Sequence, residues 1–169
     1  MSYTILHTVP ASGPIQTYRE FHNSHLWARV YWDWLGKTYL NMTDGEFFIS
    51  SNYKKIWALF KDERIPVEQR IALGATFDWV MVKREDIHRL VPAFERVANI
   101  SNNDRWSEMA KSLEKYLTED RDDVAICWTV TSITDPWHVP DIINGHDDVR
   151  MYDISKDRKH WFLFNDLQK

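Results

Sequence analysis

One stretch constrains this chain more than any other: DVAICWTVTSIT, from Asp123 to Thr134. Val124, Ile126, Trp128 and Val130 fall on one parity, and Ala125, Cys127, Thr129 and Thr131 fall on the other. Side chains of a strand alternate between its two faces. β-Branched and aromatic residues favour that pleated geometry. Neither parity carries a charge, so both faces must be covered and the strand belongs in the middle of a sheet.

The elements around this strand read as a mixture of helices and strands. Ser2–Val9 is rich in β-branched and aromatic residues and ends in the breaker cluster Pro10-Ala11-Ser12-Gly13-Pro14, which predicts a short strand and a turn. From Ile15 the spacing changes to threes and fours through Tyr18, Phe21, Leu26, Val30 and Trp34, which predicts one long amphipathic helix ending near Gly36. A second helix follows Ser51 or Asn52, and a third has Pro66 in its first turn. Thr76–Val82 reads as a strand. Ile87, Leu90, Val91, Phe94 and Val97 then share a helical face that Pro92 kinks or splits. The clearest helix opens at Asn102 or Asn103 and buries Trp106, Met109, Leu113 and Tyr116. After the central strand, Asp135–Asp147 reads as a polar loop. Asp148–Ile154 and Lys159–Asn165 read as an antiparallel hairpin turning at Ser155–Arg158. Helices in the middle and consecutive strands at the end indicate an α+β class. The expectation is a single domain over residues 1–169, with an antiparallel or mixed sheet of four to six strands and helices packed on one face.

Composition supports a folded, water-facing object. A chain of 169 residues can bury roughly 70% of its unfolded surface without a metal or disulfide. Nine Trp, seven Tyr and eight Phe supply large rings for a core, or for a partner-binding patch. A net charge of −4 without a Lys/Arg run argues against nucleic acid as a partner. No uninterrupted apolar run approaches membrane-spanning length, and the N-terminus lacks the pattern of a signal peptide. Cys127 is the single cysteine and lies mid-strand, where a thiol is buried and inert; it fits a reducing, cytoplasmic compartment.

Few chemistry-bearing patterns emerge. There is no nucleophile elbow, no P-loop and no dinucleotide fingerprint. His22 and His25 are three apart on the expected long helix, without the HExxH arrangement of a zinc protease, and His22 sits near its apolar stripe. His138, Asp141 and His146 are of the right types for a metal, and a metal-assisted or acid–base hydrolase site at His138–Asp148 is one alternative function. A structural or oligomeric phage or cell component is another. No cofactor is implied. The favoured reading rests on acidity: Glu119, Asp120, Asp122 and Asp123 before the central strand, and Asp147 and Asp148 before the hairpin. Trp137 lies between Pro136 and His138 in the polar loop and is the ring expected to be exposed beside them. Such a face attracts a basic protein such as a toxin or nuclease. The function expected is therefore a small cytoplasmic inhibitor, of the toxin-neutralising immunity or phage-inhibitor kind, that masks its partner sterically and electrostatically.

Overall fold

The structure is a computed structural model that describes residues 3–22, 26–49, 51–130, 136–143 and 146–167; for residues 3, 26, 48, 141–143 and 146–148 it describes the backbone only. Strands β1 (Tyr3–Val9) and β2 (Gln16–His22) open the chain and are followed by helix α1 (Leu26–Leu40). A 3₁₀ turn at Glu46–Phe48 leads to α2 (Asn52–Ala58), which runs into a second 3₁₀ turn at Leu59–Lys61. Then come α3 (Val67–Gly74), β3 (Val80–Lys83), a 3₁₀ segment (Arg84–Arg89), α4 (Leu90–Ser101) and α5 (Asp104–Leu117). The chain closes with β4 (Ala125–Thr129), β5 (His138–Ile143), β6 (His146–Met151), β7 (Trp161–Phe162) and α6 (Leu163–Leu167).

Five strands form a mixed sheet in the order β2-β1-β4-β3-β7, with β3 and β7 parallel and the other pairs antiparallel. β4 is central and every one of its residues is buried. Its two parities separate cleanly. Ile126 and Trp128 enter a large core with Leu6, Val80 and Val82 and the apolar faces of α1, α3, α4 and α5. Ala125 and Cys127 point the other way, into a smaller cluster with Val9, Ile15, Met81, Trp137, Val139 and Tyr152. The α+β class, the mixed sheet and the helical layer are thus as expected.

Helix ends follow local chemistry. Asn103 caps α5, its side chain accepting from Arg105 N at 3.1 Å. Asn102 closes α4 in the left-handed region at φ 48°, a conformation asparagine tolerates better than most residues. Pro92 falls within the first turn of α4, where a missing N–H is harmless, so the 3₁₀ segment and α4 divide the expected helix between them.

Three expectations are corrected. Residues 16–22 form β2 rather than the start of a long helix, because the turn at Pro10–Pro14 folds them back onto β1 with pairing from Tyr3↔His22 to Thr8↔Gln16. Residues 138–143 and 146–151 form the antiparallel ribbon β5–β6 instead of a loop. Asp148–Ile154 does not pair with Lys159–Asn165. Trp161–Phe162 instead adds to β3 in parallel and passes directly into α6.

Candidate functional site

Segment 119–124 joins α5 to β4 and is pinned by its own side chains. Arg121 is the hub: its Nε donates to Asp123 Oδ2 at 2.6 Å and its Nη1 lies 3.5 Å from Glu119 Oε2. Its guanidinium also lies over the rings of Tyr18 and Tyr116, at 5.4 and 5.7 Å from their centroids. Arg84 adds a second clamp. Its Nη2 donates to the Glu119 carbonyl at 3.0 Å, and its Nη1 donates to the Tyr116 hydroxyl at 3.2 Å. That hydroxyl in turn donates to Asp123 Oδ2 at 3.3 Å, while the Tyr18 hydroxyl donates to Glu119 Oε1 at 2.8 Å. Backbone bonds finish the job at Val124, whose N–H reaches Val9 O at 2.8 Å and whose carbonyl accepts from Arg84 N at 3.0 Å.

The titration of these groups follows from their surroundings. Burial pushes the Tyr18 hydroxyl up to about 12, helped by the Glu119 carboxylate it donates to. Burial likewise raises Tyr116, with Asp123 adding to the effect. The hydrogen bond to Asp123 holds Arg121 above its usual value. Tyr18 and Tyr116 therefore stay neutral and Arg121 stays charged across the physiological range.

The four carboxylates divide by parity. Glu119 and Asp123, two residues either side of Arg121, turn inward and are half-buried. Asp120 and Asp122, one residue either side, are exposed and have no ion-pair partner among the described residues. An open hollow of about 470 Å³ lies between Pro10–Ser12 and residues 120–123. A second, of about 450 Å³, lies against Lys83–Glu85 and the exposed Val124. Two exposed carboxylates and an apolar side chain thus stand on one pinned segment that borders both hollows. The sequence carried a signal for this in EDRDD: along an extended chain, the acids two from the arginine share its side and those one away do not.

Trp137 is not part of any exposed face. It is fully buried; its indole Nε1 donates to Trp128 O at 2.7 Å and its carbonyl accepts from Tyr152 N at 2.7 Å. Its ring meets Trp79 and Tyr152 edge to face at 5.5 and 5.3 Å. The expectation of an exposed indole fails for a simple reason. Burial alternates from Trp137 to Pro140 as buried, exposed, buried, exposed, so polar neighbours in sequence point away from the tryptophan. Trp79 beside it holds φ at +61°, an uncommon conformation for a bulky residue, and Lys159 Nζ sits 5.2 Å from its ring centroid.

The remaining candidates are dispersed or outside the described side chains. Asp147 and Asp148 are in β6, paired with Ile142 and Asp141 in the two-stranded ribbon, whereas the 119–124 segment leads into β4 of the five-stranded sheet; their side chains are outside the described set. So are the side chains of Asp141 and His146, whereas His138 is exposed at the start of β5. His22 ends β2 and is exposed 3.6 Å from Glu20, so it is not the core histidine that the helical reading implied; His25 lies outside the described residues. Among the described residues no three His, Cys, Asp or Glu side chains are grouped to hold a metal. Cys127 is buried in β4 and is in no disulfide. No helix among the described residues is long and apolar enough to cross a membrane. No protein-family model matches the chain, and no match is found among curated proteins or solved structures.

Proposed function

We propose that this chain is a small partner-binding protein of the inhibitor or immunity type, which covers a basic surface on another protein. The observation that carries the reading is the presentation of Asp120 and Asp122 on a segment that Arg121 and Arg84 hold in place. A surface ordered before binding loses less conformational freedom on association. Exposed carboxylates on it steer a cationic partner and set its orientation. Val124, 40% exposed beside them, offers the apolar contact in place of Trp137. The partner expected is a basic protein such as a toxin or nuclease, met in the cytoplasm, a compartment consistent with a single buried thiol.

The test is co-purification from the source cells with the intact chain as bait. A stoichiometric basic protein is expected, bound more weakly at high salt because rim charges are screened. Asp120→Asn combined with Asp122→Asn slows association while leaving the fold intact. Recovery of no stoichiometric partner overturns the proposal, and so does equal binding by the double variant.

A further inference from the structure

A separate hollow of about 550 Å³ opens between the C-terminal end of α1 and the α2–3₁₀ segment, within the ~300–1,000 Å³ typical of small-molecule sites. Its floor is apolar, with Leu59 and Ile65 buried and Leu40 half-buried. Tyr39 forms an aromatic wall and is 37% exposed, yet it is tethered from behind. Its hydroxyl donates to Gln69 Oε1 at 2.7 Å, and buried Gln69 is itself held by Tyr31, whose hydroxyl donates to its carbonyl at 2.8 Å. The ring therefore stands in place before any ligand arrives.

The charges around this hollow run opposite to those of the chain. Asp62 is committed to Arg64, accepting from its backbone N at 3.1 Å, Nε at 2.9 Å and Nη2 at 2.6 Å. That pairing is the main reason its pKa falls to about 2. Arg70 is close enough to add to the effect, and its Nε is buried without a hydrogen-bond partner. Lys55, on the rim, has no ion-pair or hydrogen-bond partner among the described residues. The lining of the hollow thus carries two cations, Lys55 and Arg64, against the one saturated carboxylate of Asp62, in a chain whose net charge is −4.

We propose that this hollow binds a small organic carboxylate with an aromatic or branched apolar body, its anion at Lys55 and its body between Tyr39 and Leu59. A lone ammonium is a single point charge and balances a monoanionic carboxylate, whereas a phosphate dianion would keep one uncompensated charge. The Arg64 fork is already occupied by Asp62. The site shares no residue with segment 119–124, and its test is independent of the partner-binding reading.

The experiment titrates the intact, ¹⁵N-labelled protein with phenylacetate and, separately, with neutral phenylacetamide. Phenylacetate is expected to shift the amides of Tyr39, Leu40, Leu59 and Ile65 saturably, with the amide binding about tenfold more weakly or worse. Lys55→Gln keeps the stem, removes the charge and weakens phenylacetate about tenfold. Lys54→Gln, on the neighbouring residue outside the hollow, leaves binding unchanged. Equal binding of acid and amide overturns the proposal, as does indifference to Lys55→Gln, a saturable shift elsewhere, or no saturable shift with either phenylacetate or isovalerate. The same spectra report whether each variant is folded.

Discussion

The two faces of the five-stranded sheet are covered by different means. The helical face is filled by large side chains from α1 to α6, with Trp27, Trp106, Phe94 and Trp128 in ring contact at its centre. The opposite face is covered by single residues drawn from turns, ribbon ends and the segment after β6: Ile15, Trp137, Val139 and Tyr152. These few residues are joined by directional bonds. Trp137 bonds to Trp128 and Tyr152, Ile15 N donates to Tyr152 O at 2.8 Å, and the Tyr152 hydroxyl meets His160 Nδ1 at 2.9 Å. One face is held by area and the other by a short chain of hydrogen bonds through aromatic residues. An isolated two-stranded ribbon is marginal in water, so β5–β6 depends on that chain.

Breaking the helical face has the largest expected effect. Trp106→Ala removes a fully buried ring whose Nε1 donates to Trp27 O at 3.1 Å, and it costs about 3–5 kcal/mol. Urea unfolding measures this as a lowered midpoint with every helix lost together. Trp137→Phe keeps a ring but deprives the Trp128 carbonyl of its 2.7 Å donor, at about 1–3 kcal/mol. Hydrogen exchange should then show amides of residues 138–143 and 146–151 opening while those of α4 and α5 stay protected. If α4 and α5 open equally, the two faces form one cooperative unit and the contrast fails.

Two smaller effects sharpen the same contrast. Asn103→Ala deletes the cap of α5 on the helical face and costs about 1 kcal/mol, read from the urea midpoint with ribbon protection unchanged at the Trp137 end. The gentlest is a pH slope on the other face. Burial, and next the charge of Arg158, hold His160 below its ordinary value. The unfolded chain therefore takes up the proton first, so stability is full above about pH 6.5 and declines as the pH falls toward the lower folded value. The Tyr152 oxygen accepts from the His160 backbone N at 3.2 Å, which keeps the hydroxyl beside Nδ1 of that ring. Urea midpoints between about pH 7.5 and about pH 5.5 should fall less in His160→Gln than in the unmodified chain. An identical slope in the two proteins removes His160 from the account.

Legibility in the sequence follows the same division. α3, α4 and α5 were readable because a helix repeats its apolar residues within a few turns and its caps are local, as at Asn103. β2 was not, because Ile15, Tyr18 and Phe21 are also spaced for a helix. Pairing with β1 across the Pro10–Pro14 turn decided between the two. The β5–β6 ribbon left a trace, since Asn144 and Gly145 between the strands are the pair that two-residue hairpins favour. Pro140 within the run and the density of histidines and aspartates obscured it. The site divides likewise: the acidity of 119–123 was plain, but the roles of Tyr18 and Arg84 depend on partners 101 and 35 residues away.

The sequence by itself determined the central strand, the α+β class and the helical layer, because each follows from periodicity and burial within a short window. Only the tertiary structure decided which way Trp137 faces, which carboxylates Arg121 turns inward, and that a lone lysine stands over an apolar hollow at the end of α1. Those outcomes depend on which distant segment supplies the hydrogen bond or the neighbouring ring, and no local pattern of residues encodes that choice.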